Sequence, residues 1–449
     1  MARRVRDLTQ GDIVKTLIKL ALPIMGTGLV NMLYSLTDIM WLGRLSREAL
    51  AGAGTAGYFI WFAAGLIMIS QVGVGVGVAQ SIGREDDEGL REYISNAFRL
   101  NLSLAILYCS IMFIFRHQLV GFFKIEEREV VLQSIKYIEI VSFGLLFQFF
   151  NPVISAIFNA TGNSLAPFII NAVGLVTNMV LDPVLIFGLG PFPAMGIRGA
   201  ALATSIAQVT VLTLFVSLIV RSPELFDGVK IFARPNFKYI KKIAKLGFPG
   251  FLQNSMHSGI SMIIIKFLAN YGSAAIAVQT AGAQIESISW MTAEGFSAAL
   301  TAFIGQNYGA RNYERVREGF RKGLQIVGSI GFMAMLLFIF FGRPIFSLFI
   351  PNDPEAILLG QQYLKILGFS QIFLCFEIAA MGGFNGIGRP IVTAVIGTVF
   401  NLARIPAAIF LSSTALGVYG IWWAVSLSSI IKGALGAPLC MHSLNTLKE

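Results

Sequence analysis

Long apolar runs separated by short polar segments dominate the chain. A helix needs roughly 20 residues to cross the hydrocarbon core of a bilayer, because each residue adds about 1.5 Å to a core about 30 Å thick. A transmembrane barrel would instead show alternating segments of about 10 residues. The pattern predicts an all-α membrane protein with twelve transmembrane helices, at about residues 19–43, 50–80, 96–116, 131–156, 166–189, 196–220, 241–270, 276–306, 321–346, 357–384, 390–413 and 418–442.

The composition agrees with this interpretation. Of 449 residues, 55% are hydrophobic and 13% are charged, whereas about 25% of a soluble domain is charged. Three cysteines, Cys109, Cys375 and Cys440, lie far apart in apolar runs, so we expect neither a disulfide framework nor a structural zinc site. The first apolar run is longer than the core of a cleavable signal peptide, so we expect the first helix to be retained.

The net charge of +10 is compatible with nucleic-acid binding or with the excess of Lys and Arg that cytoplasmic loops carry. If the amino terminus is cytoplasmic, the basic residues concentrate on that side, and only Lys266 and Arg404 are assigned to span interiors. The asymmetry predicts a multi-pass protein of the cell (inner) membrane with both termini in the cytoplasm. We expect the basic loops to face anionic lipid headgroups and expect no nucleic-acid partner.

The chain aligns with itself. Residues 19–23 (Lys-Leu-Ala-Leu-Pro) pair with residues 245–249 (Lys-Leu-Gly-Phe-Pro), and Phe158 with Asn159 pairs with Phe384 with Asn385 in the same register. Each copy holds six predicted spans, so both copies enter the membrane from the same side. The repeat therefore predicts two six-helix lobes related by a pseudo-twofold axis along the membrane normal.

The repeat also predicts the domain organisation. We expect an N-lobe at residues 1–220, a basic cytoplasmic linker at 221–240 and a C-lobe at 241–449. Two fused lobes favour a transporter that works by alternating access. A channel is the alternative, although channels more often assemble identical subunits around a pore.

Polar residues in the first and fifth spans form two stripes. Asn31, Tyr34 and Asp38 lie at positions i, i+3 and i+7, and Asn178 and Asp182 lie at i and i+4, so each set shares one helix face. A charged side chain near the bilayer centre costs about 2.5–3.5 kcal/mol and usually faces a cavity. The two stripes therefore predict a cation site in the N-lobe, and an alternative is that Asp38 caps a helix end.

A hydroxyl group in the sixth span extends this set. Thr204 adds an oxygen of the kind that hard cations prefer. In the C-lobe the positions aligned with Asp38, Asp182 and Thr204 are apolar, namely Ile264, Ile405 and Val425. Packing symmetry would not separate the lobes in this way, so we expect the coupling-ion site to be confined to the N-lobe.

Three motifs now suggest a family. They are Asn-x-x-x-Asp-Pro at 178–183, Gly-Ala-Ala-Leu-Ala-Thr at 199–204 and Gly-Gln-Asn-x-Gly-Ala at 305–310. Together with the twelve spans and the repeat, these motifs resemble the multidrug and toxic compound extrusion (MATE) family over nearly the whole chain. The chain is most similar to the prokaryotic branch of DNA-damage-inducible protein F, whose ion network lies in the amino-terminal lobe. The resemblance implies a coupling-ion network of Tyr34, Asp38, Tyr137, Asn178, Asp182 and Thr204. If transport is sodium-coupled, the expected Na⁺ ligands are Asp38, Asn178, Asp182 and Thr204.

The resemblance implies a secondary active antiporter that exports amphipathic or cationic organic compounds in exchange for Na⁺ or H⁺. It implies that the protein has no cofactor and no enzymatic activity. The implied partners are the lipid bilayer and small organic substrates, and the implied oligomeric state is a monomer. A lipid or lipid-linked oligosaccharide flippase of the same superfamily is the alternative, although it would require a cleft rich in Arg and Lys. An intramembrane enzyme would require a nucleophile with a base, or a metal cluster.

Other polar residues in the spans are candidates for a substrate cavity. Another branch of the family places acidic residues in the seventh and tenth spans, and Glu377 is near the tenth-span position. The alternatives are that Glu286 and Glu294 pair with Lys266 or Arg404 and that His257 is a packing residue. The cavity candidates are Asn31, Asn254, His257, Glu286 and Glu377.

Overall fold

The computed structural model describes residues 7–349 and 353–447, within which all regular secondary structure is helical. The helices are α1 (Ile13–Leu45), α2 (Arg47–Gly83), α3 (Asp87–Ile114), α4 (Arg116–Gly121), α5 (Arg128–Gln148), α6 (Phe150–Ala160), α7 (Leu165–Phe187), α8 (Ile197–Val220), α9 (Pro223–Phe226), α10 (Phe237–Ala269), α11 (Ser273–Gly309), α12 (Tyr313–Phe349), α13 (Pro354–Gly368), α14 (Gln371–Gly386), α15 (Ile391–Ser412) and α16 (Val418–Asn445).

Every predicted span coincides with a helix or with a pair of consecutive helices. The fourth span is divided at Phe149 into α5 and α6. The tenth is divided into α13 and α14, which are bent by 48°. Helix α12 has a kink at Phe341 (φ −113°, ψ 15°), three residues before Pro344. The hydrophobic pattern located the spans but did not show these breaks, because a change of backbone direction leaves the apolar run intact.

Within the described ranges, nine helical segments are long and apolar enough to cross a membrane, if α5 and α6 are counted as one segment. The bent pair α13–α14 would be a tenth. Helices α10 and α11 have 33 and 37 residues but are less apolar. The polar stretches 253–258 in α10 and 284–289 in α11 account for this. The two long helices that lack such an apolar stretch are therefore consecutive, and they carry several of the candidate cavity residues.

The helices form two compact units. The first comprises Gly26–Phe248, and the second comprises Leu8–Met25 together with Pro249–Glu449, as far as these ranges are described. The division departs from the predicted lobes in two stretches, because the first part of α1 is grouped with the second unit and the first part of α10 with the first unit. Both changes of unit occur within three residues of a proline, Pro23 in α1 and Pro249 in α10.

The segments that precede α1 and α10 each form hydrogen bonds with side chains of their own unit. In the second unit, Leu8 is fully buried; its N–H donates to Gln306 Oε1 (3.1 Å), and its carbonyl accepts from Asn307 Nδ2 (3.1 Å). In the first unit, the N–H of Asn236 donates to Asn96 Oδ1 (2.9 Å). The linker is thus bonded to α3 along part of its length.

Close packing of α5, α7 and α8 builds the part of the first unit that carries the predicted ion site. A Cβ atom at Gly199 of α8 would lie 2.4 Å from the Leu185 carbonyl oxygen of α7. A Cβ atom at Gly144 of α5 would lie 2.3 Å from Ser205 Oγ of α8. Small residues let helix backbones approach closely in membranes, so these two glycines bring the polar faces of the three helices together.

Candidate functional site

The polar stripes of the first unit converge on one buried group, which we call the acidic cluster. Four helices contribute to it: two residues come from α1, two from α7 and one each from α5 and α8. Asn178 and Asp182 are fully buried. The acidic cluster consists of Tyr34, Asp38, Tyr137, Asn178, Asp182 and Thr204.

Asp38 lies at the centre of the acidic cluster. The side chains of Asp182, Asn178 and Thr204 are close enough to interact with its carboxylate. Asn178 Nδ2 donates to Asp182 Oδ1 at 3.2 Å, which is the i, i+4 contact that their spacing predicts. The Tyr34 hydroxyl donates to the Thr204 carbonyl oxygen at 3.3 Å, so α1 is also bonded to α8.

Four oxygens of the acidic cluster are buried and have no hydrogen-bond partner among the described residues. They come from two carboxylates, one amide and one hydroxyl group, which are all ligands that hard cations accept. Buried polar atoms are normally hydrogen-bonded, so four orphaned acceptors in one place require an explanation. The atoms are Asp38 Oδ1, Asn178 Oδ1, Asp182 Oδ2 and Thr204 Oγ1.

The two carboxylates also lack a basic partner. Neither Asp38 nor Asp182 forms an ion pair with any Lys, Arg or His in the part of the chain that the structure describes. The carboxylates of Asp38 and Asp182 are close enough to interact with each other. Burying a charge without a partner is costly, and two like charges increase that cost. The cluster is therefore able to stabilise a small cation that arrives from elsewhere.

The alternative role of Asp38 as a helix cap is wrong, because α1 continues without a break to Leu45. Helix α7 continues through Pro183 to Phe187 and ends at Gly188, which has a left-handed conformation (φ 73°, ψ 55°). Proline has no N–H, so the Met179 carbonyl, one turn before Pro183, loses its usual helical donor. This carbonyl lies on the same turn of α7 as Asn178.

The candidate cavity residues are divided between the units. Asn31 is exposed on α1 in the first unit, and Asn254 is partly exposed on α10 in the second. The proposed pairing of Glu286 with Lys266 or Arg404 is wrong for the described side chains, because Glu286 Oε1 accepts from Gln371 Nε2 (3.2 Å) and no ion pair joins it to either residue.

Three of the cavity candidates, His257, Glu286 and Glu377, gather around two buried basic residues of the second unit, Arg404 and Lys432. Together these five residues form what we call the charged cluster.

Sequence reasoning missed Lys432. Only Lys266 and Arg404 were expected inside spans, yet Lys432 lies midway along α16 and is almost completely buried. Its Nζ atom is 2.9 Å from Glu377 Oε1. The signal was present, because Lys432 falls inside the predicted twelfth span. The predicted topology instead assigns its charge to the cytoplasmic carboxyl terminus.

The chain is similar in sequence to known proteins over nearly its whole length. The chain is 28% identical over 431 residues to the "Probable multidrug resistance protein NorM" of Thermotoga maritima, covering 94% of this chain and 91% of that protein. It is 22% identical over 438 residues to the "Multidrug export protein MepA" of Staphylococcus aureus, covering 97% and 95%.

A solved structure described as an outward-facing conformation of a multidrug resistance MATE family transporter of the MOP superfamily has the same fold. It superimposes with a TM-score of 0.91 at 24% identity, and the match covers 100% of both chains. The prediction of an all-α membrane protein is thereby confirmed, and the twelve-span, two-lobe layout fits this fold.

The family profile described as MatE matches the chain twice, at residues 23–184 and 249–410. The first matched residues, Pro23 and Pro249, are the prolines that the internal alignment pairs with each other. The same profile thus recognises both copies of the repeat. Because the two matches cover more than half of the sequence, the chain belongs to the MatE family, a family of multi-pass membrane transporters.

Proposed function

We propose that this transporter exports small organic compounds in exchange for a cation that binds at the acidic cluster. One observation carries the proposal: Asp38, which is partly buried, and Asp182, which is fully buried, lie beside each other and have no described basic partner. An exchangeable monovalent cation would offset one of the two negative charges and reduce their repulsion, and its departure would leave two repelling carboxylates. Occupancy of the site can therefore favour one conformation over another, which is what coupling by alternating access requires.

Na⁺ accounts for the acidic cluster better than a proton does. A proton on one carboxylate can satisfy that group and one further acceptor. Four acceptors are orphaned, and two of them belong to the neutral side chains Asn178 and Thr204. An ion with several oxygen ligands would engage all four.

The membrane potential can drive this exchange. One elementary charge that moves inward through about 100 mV releases about 2.3 kcal/mol. We expect the protein to lie in the cell membrane with both termini in the cytoplasm. A cation that enters from outside would then gain this energy. The excess of basic residues in the predicted cytoplasmic segments supports that orientation.

The substrate class follows from the relatives, whose names describe multidrug resistance and multidrug export. We propose amphipathic or cationic organic compounds. The chain supplies the flexible apolar side chains that broad recognition needs, since it contains 37 Phe and 15 Met. Methionine-rich surfaces can repack around different ligands.

The test is efflux of ethidium from proteoliposomes under a sodium gradient alone and under a pH gradient alone. Wild-type protein should respond to the sodium gradient, and Asp38→Asn and Asp182→Asn should each lower the rate at least about tenfold. Glu139→Gln is the matched control, because Glu139 is a partly exposed acid of the first unit that pairs with Arg198 (3.6 Å) outside the cluster. It should transport at the wild-type rate.

Two outcomes would contradict the proposal. Wild-type efflux in either aspartate variant would remove the acidic cluster from the mechanism. Efflux driven by the pH gradient, with no efflux driven by the sodium gradient, would exclude sodium as the coupling ion. Thermal melting of each purified variant shows that a lost activity does not come from a lost fold.

A further inference from the structure

The charged cluster of the second unit contains a buried basic group for which the proposed ion exchange has no use. Arg404 on α15 is 6% exposed. Its Nε donates to Ser428 Oγ (3.1 Å) and its Nη2 to Ser429 Oγ (3.2 Å), both on α16. These two hydroxyl groups fix the guanidinium plane but carry no charge.

Arg404 has no carboxylate partner within ion-pair distance in the described ranges. Glu377 is already bound to Lys432 at 2.9 Å, and Glu286 accepts from Gln371. Both glutamates act on Arg404 only through longer-range attraction. A guanidinium has five N–H donors, and the two serine bonds leave three of them without a described partner.

The surroundings of Arg404 favour an anion as the missing partner. Lys432 is near enough to repel Arg404 electrostatically, and Glu377 and Glu286 attract Arg404 only from outside ion-pair distance. A negative charge within hydrogen-bond distance of the free N–H groups of Arg404 would interact favourably with both cations, and this attraction must exceed its repulsion by the two glutamates. His257 lies within electrostatic range of the two cations and is exposed. The charged cluster therefore includes one exposed residue, on α10.

We propose that Arg404, held by Ser428 and Ser429, binds a carboxylate or phosphate group of the transported molecule. The planar fork of arginine matches both groups, because either can accept two parallel N–H bonds. The substrates would then include amphipathic compounds that carry an anionic group, zwitterions among them. This inference names a substrate class and rests on the proposed export function, but it requires no coupling ion.

The experiment measures equilibrium binding of three radiolabelled compounds to the purified full-length protein in lipid nanodiscs, without any ion gradient. 1-Naphthoate and 1-naphthyl phosphate carry the two anionic groups, and 1-naphthamide is the neutral control of the same shape. Wild-type protein should bind at least one of the anions about tenfold or more tightly than the amide, since a charged hydrogen-bonded contact is worth about that factor. The preferred anion identifies the group as a carboxylate or a phosphate.

Arg404→Gln should remove this preference by weakening anion binding about tenfold while changing amide binding less than about twofold. Lys266→Gln is the matched control, because Lys266 is an exposed basic residue on α10 of the same unit, and it should keep the wild-type preference.

Ser429→Ala leaves the guanidinium in place but removes one positioning bond, so it tests the site if Arg404→Gln does not fold. We expect Ser429→Ala to weaken anion binding about fivefold, because the guanidinium stays in place but loses one of the two hydrogen bonds that orient it.

Equal binding of the anions and the amide to wild-type protein would overturn the inference. An unchanged anion preference in Arg404→Gln, or in Ser429→Ala where Arg404→Gln does not fold, would do the same. Failure here is distinguishable from failure of the proposed ion exchange, because binding is measured without gradients and the acidic cluster is intact in every variant.

Discussion

Lys432 Nζ lies 2.9 Å from Glu377 Oε1 within the second unit, and both side chains are largely buried. The carboxylate of Glu377 is therefore neutralised by an ammonium group of the same chain. Asp38 and Asp182 in the first unit have no such partner among the described residues. The acids of the two units thus differ, because Glu377 has a basic partner within the chain, whereas Asp38 and Asp182 have none that the structure describes.

The Lys432–Glu377 pair predicts a characteristic pattern of stabilities. Lys432→Met or Glu377→Met alone should lower the free energy of unfolding by about 3–5 kcal/mol, because each leaves one buried charge without its partner. The double variant should be much closer to wild type, since a buried pair replaced by apolar side chains of similar size is often neutral. Chemical denaturation of the four purified proteins measures this cycle. Additive losses in the double variant would show that the pair does not interact.

Sodium itself should stabilise the folded protein. A ligand that binds only the folded state raises stability by about 2.7 kcal/mol at 100 times its dissociation constant. The melting temperature should therefore be higher in NaCl than in choline chloride of equal ionic strength, and Asp182→Asn should lose this difference. Glu139→Gln serves again as the control and should keep it. Equal melting temperatures of wild-type protein in the two salts would contradict sodium binding.

The hydroxyl group of Thr204 should contribute to ion affinity. Thr204→Val keeps the shape of the side chain but removes Oγ1, one of the four orphaned oxygens, so we expect the sodium concentration for half-maximal efflux to rise about fivefold or more. Thr204→Ser, which keeps the oxygen, should stay near wild type. Tyr34→Phe removes one neutral hydrogen bond to the Thr204 carbonyl, worth about 1 kcal/mol, and should raise that concentration by no more than about fivefold. A Thr204→Val protein with wild-type sodium dependence would exclude Thr204 as a ligand.

Gly199 should tolerate no side chain. A Cβ atom there would lie 2.4 Å from a backbone oxygen of α7, so Gly199→Ala should force α8 away from α7 and lower the melting temperature. Gly54→Ala is the matched control in α2, where a Cβ atom would meet nothing within 4 Å, and alanine there should be neutral or slightly stabilising. Equal melting temperatures of the two variants would show that the α7–α8 contact does not depend on this glycine.

Much of the acidic cluster could be predicted from the sequence because its main chemistry is local. Asn178 and Asp182 are one helical turn apart, so their contact follows from helix geometry alone. Tyr34 and Asp38 likewise share a face of α1. Tyr137 was expected only through the family resemblance, since nothing in its own span distinguishes it from other tyrosines. The structure places it beside Thr204 and the two carboxylates.

The charged cluster could not be assembled in the same way. Glu377 and Lys432 are on α14 and α16, and Arg404 is on α15. Their spacing along the chain carries no information about distance. Helix periodicity identifies which residues share a face of one helix, but not which faces meet. The pairing of Glu377 with Lys432, and the lack of an ion-pair partner for Arg404, therefore emerge only from the packed second unit.

The sequence by itself determined the helical membrane fold, the duplication and the polar stripe on each helix, because apolar length and 3.6-residue periodicity are properties of single segments. Tertiary structure decided where helices break, which unit holds the first parts of α1 and α10, and which buried charges are paired. Those features depend on contacts between segments far apart in the chain. In a low-dielectric interior, a difference of a few ångströms decides whether a carboxylate has a partner or must take a cation from solution.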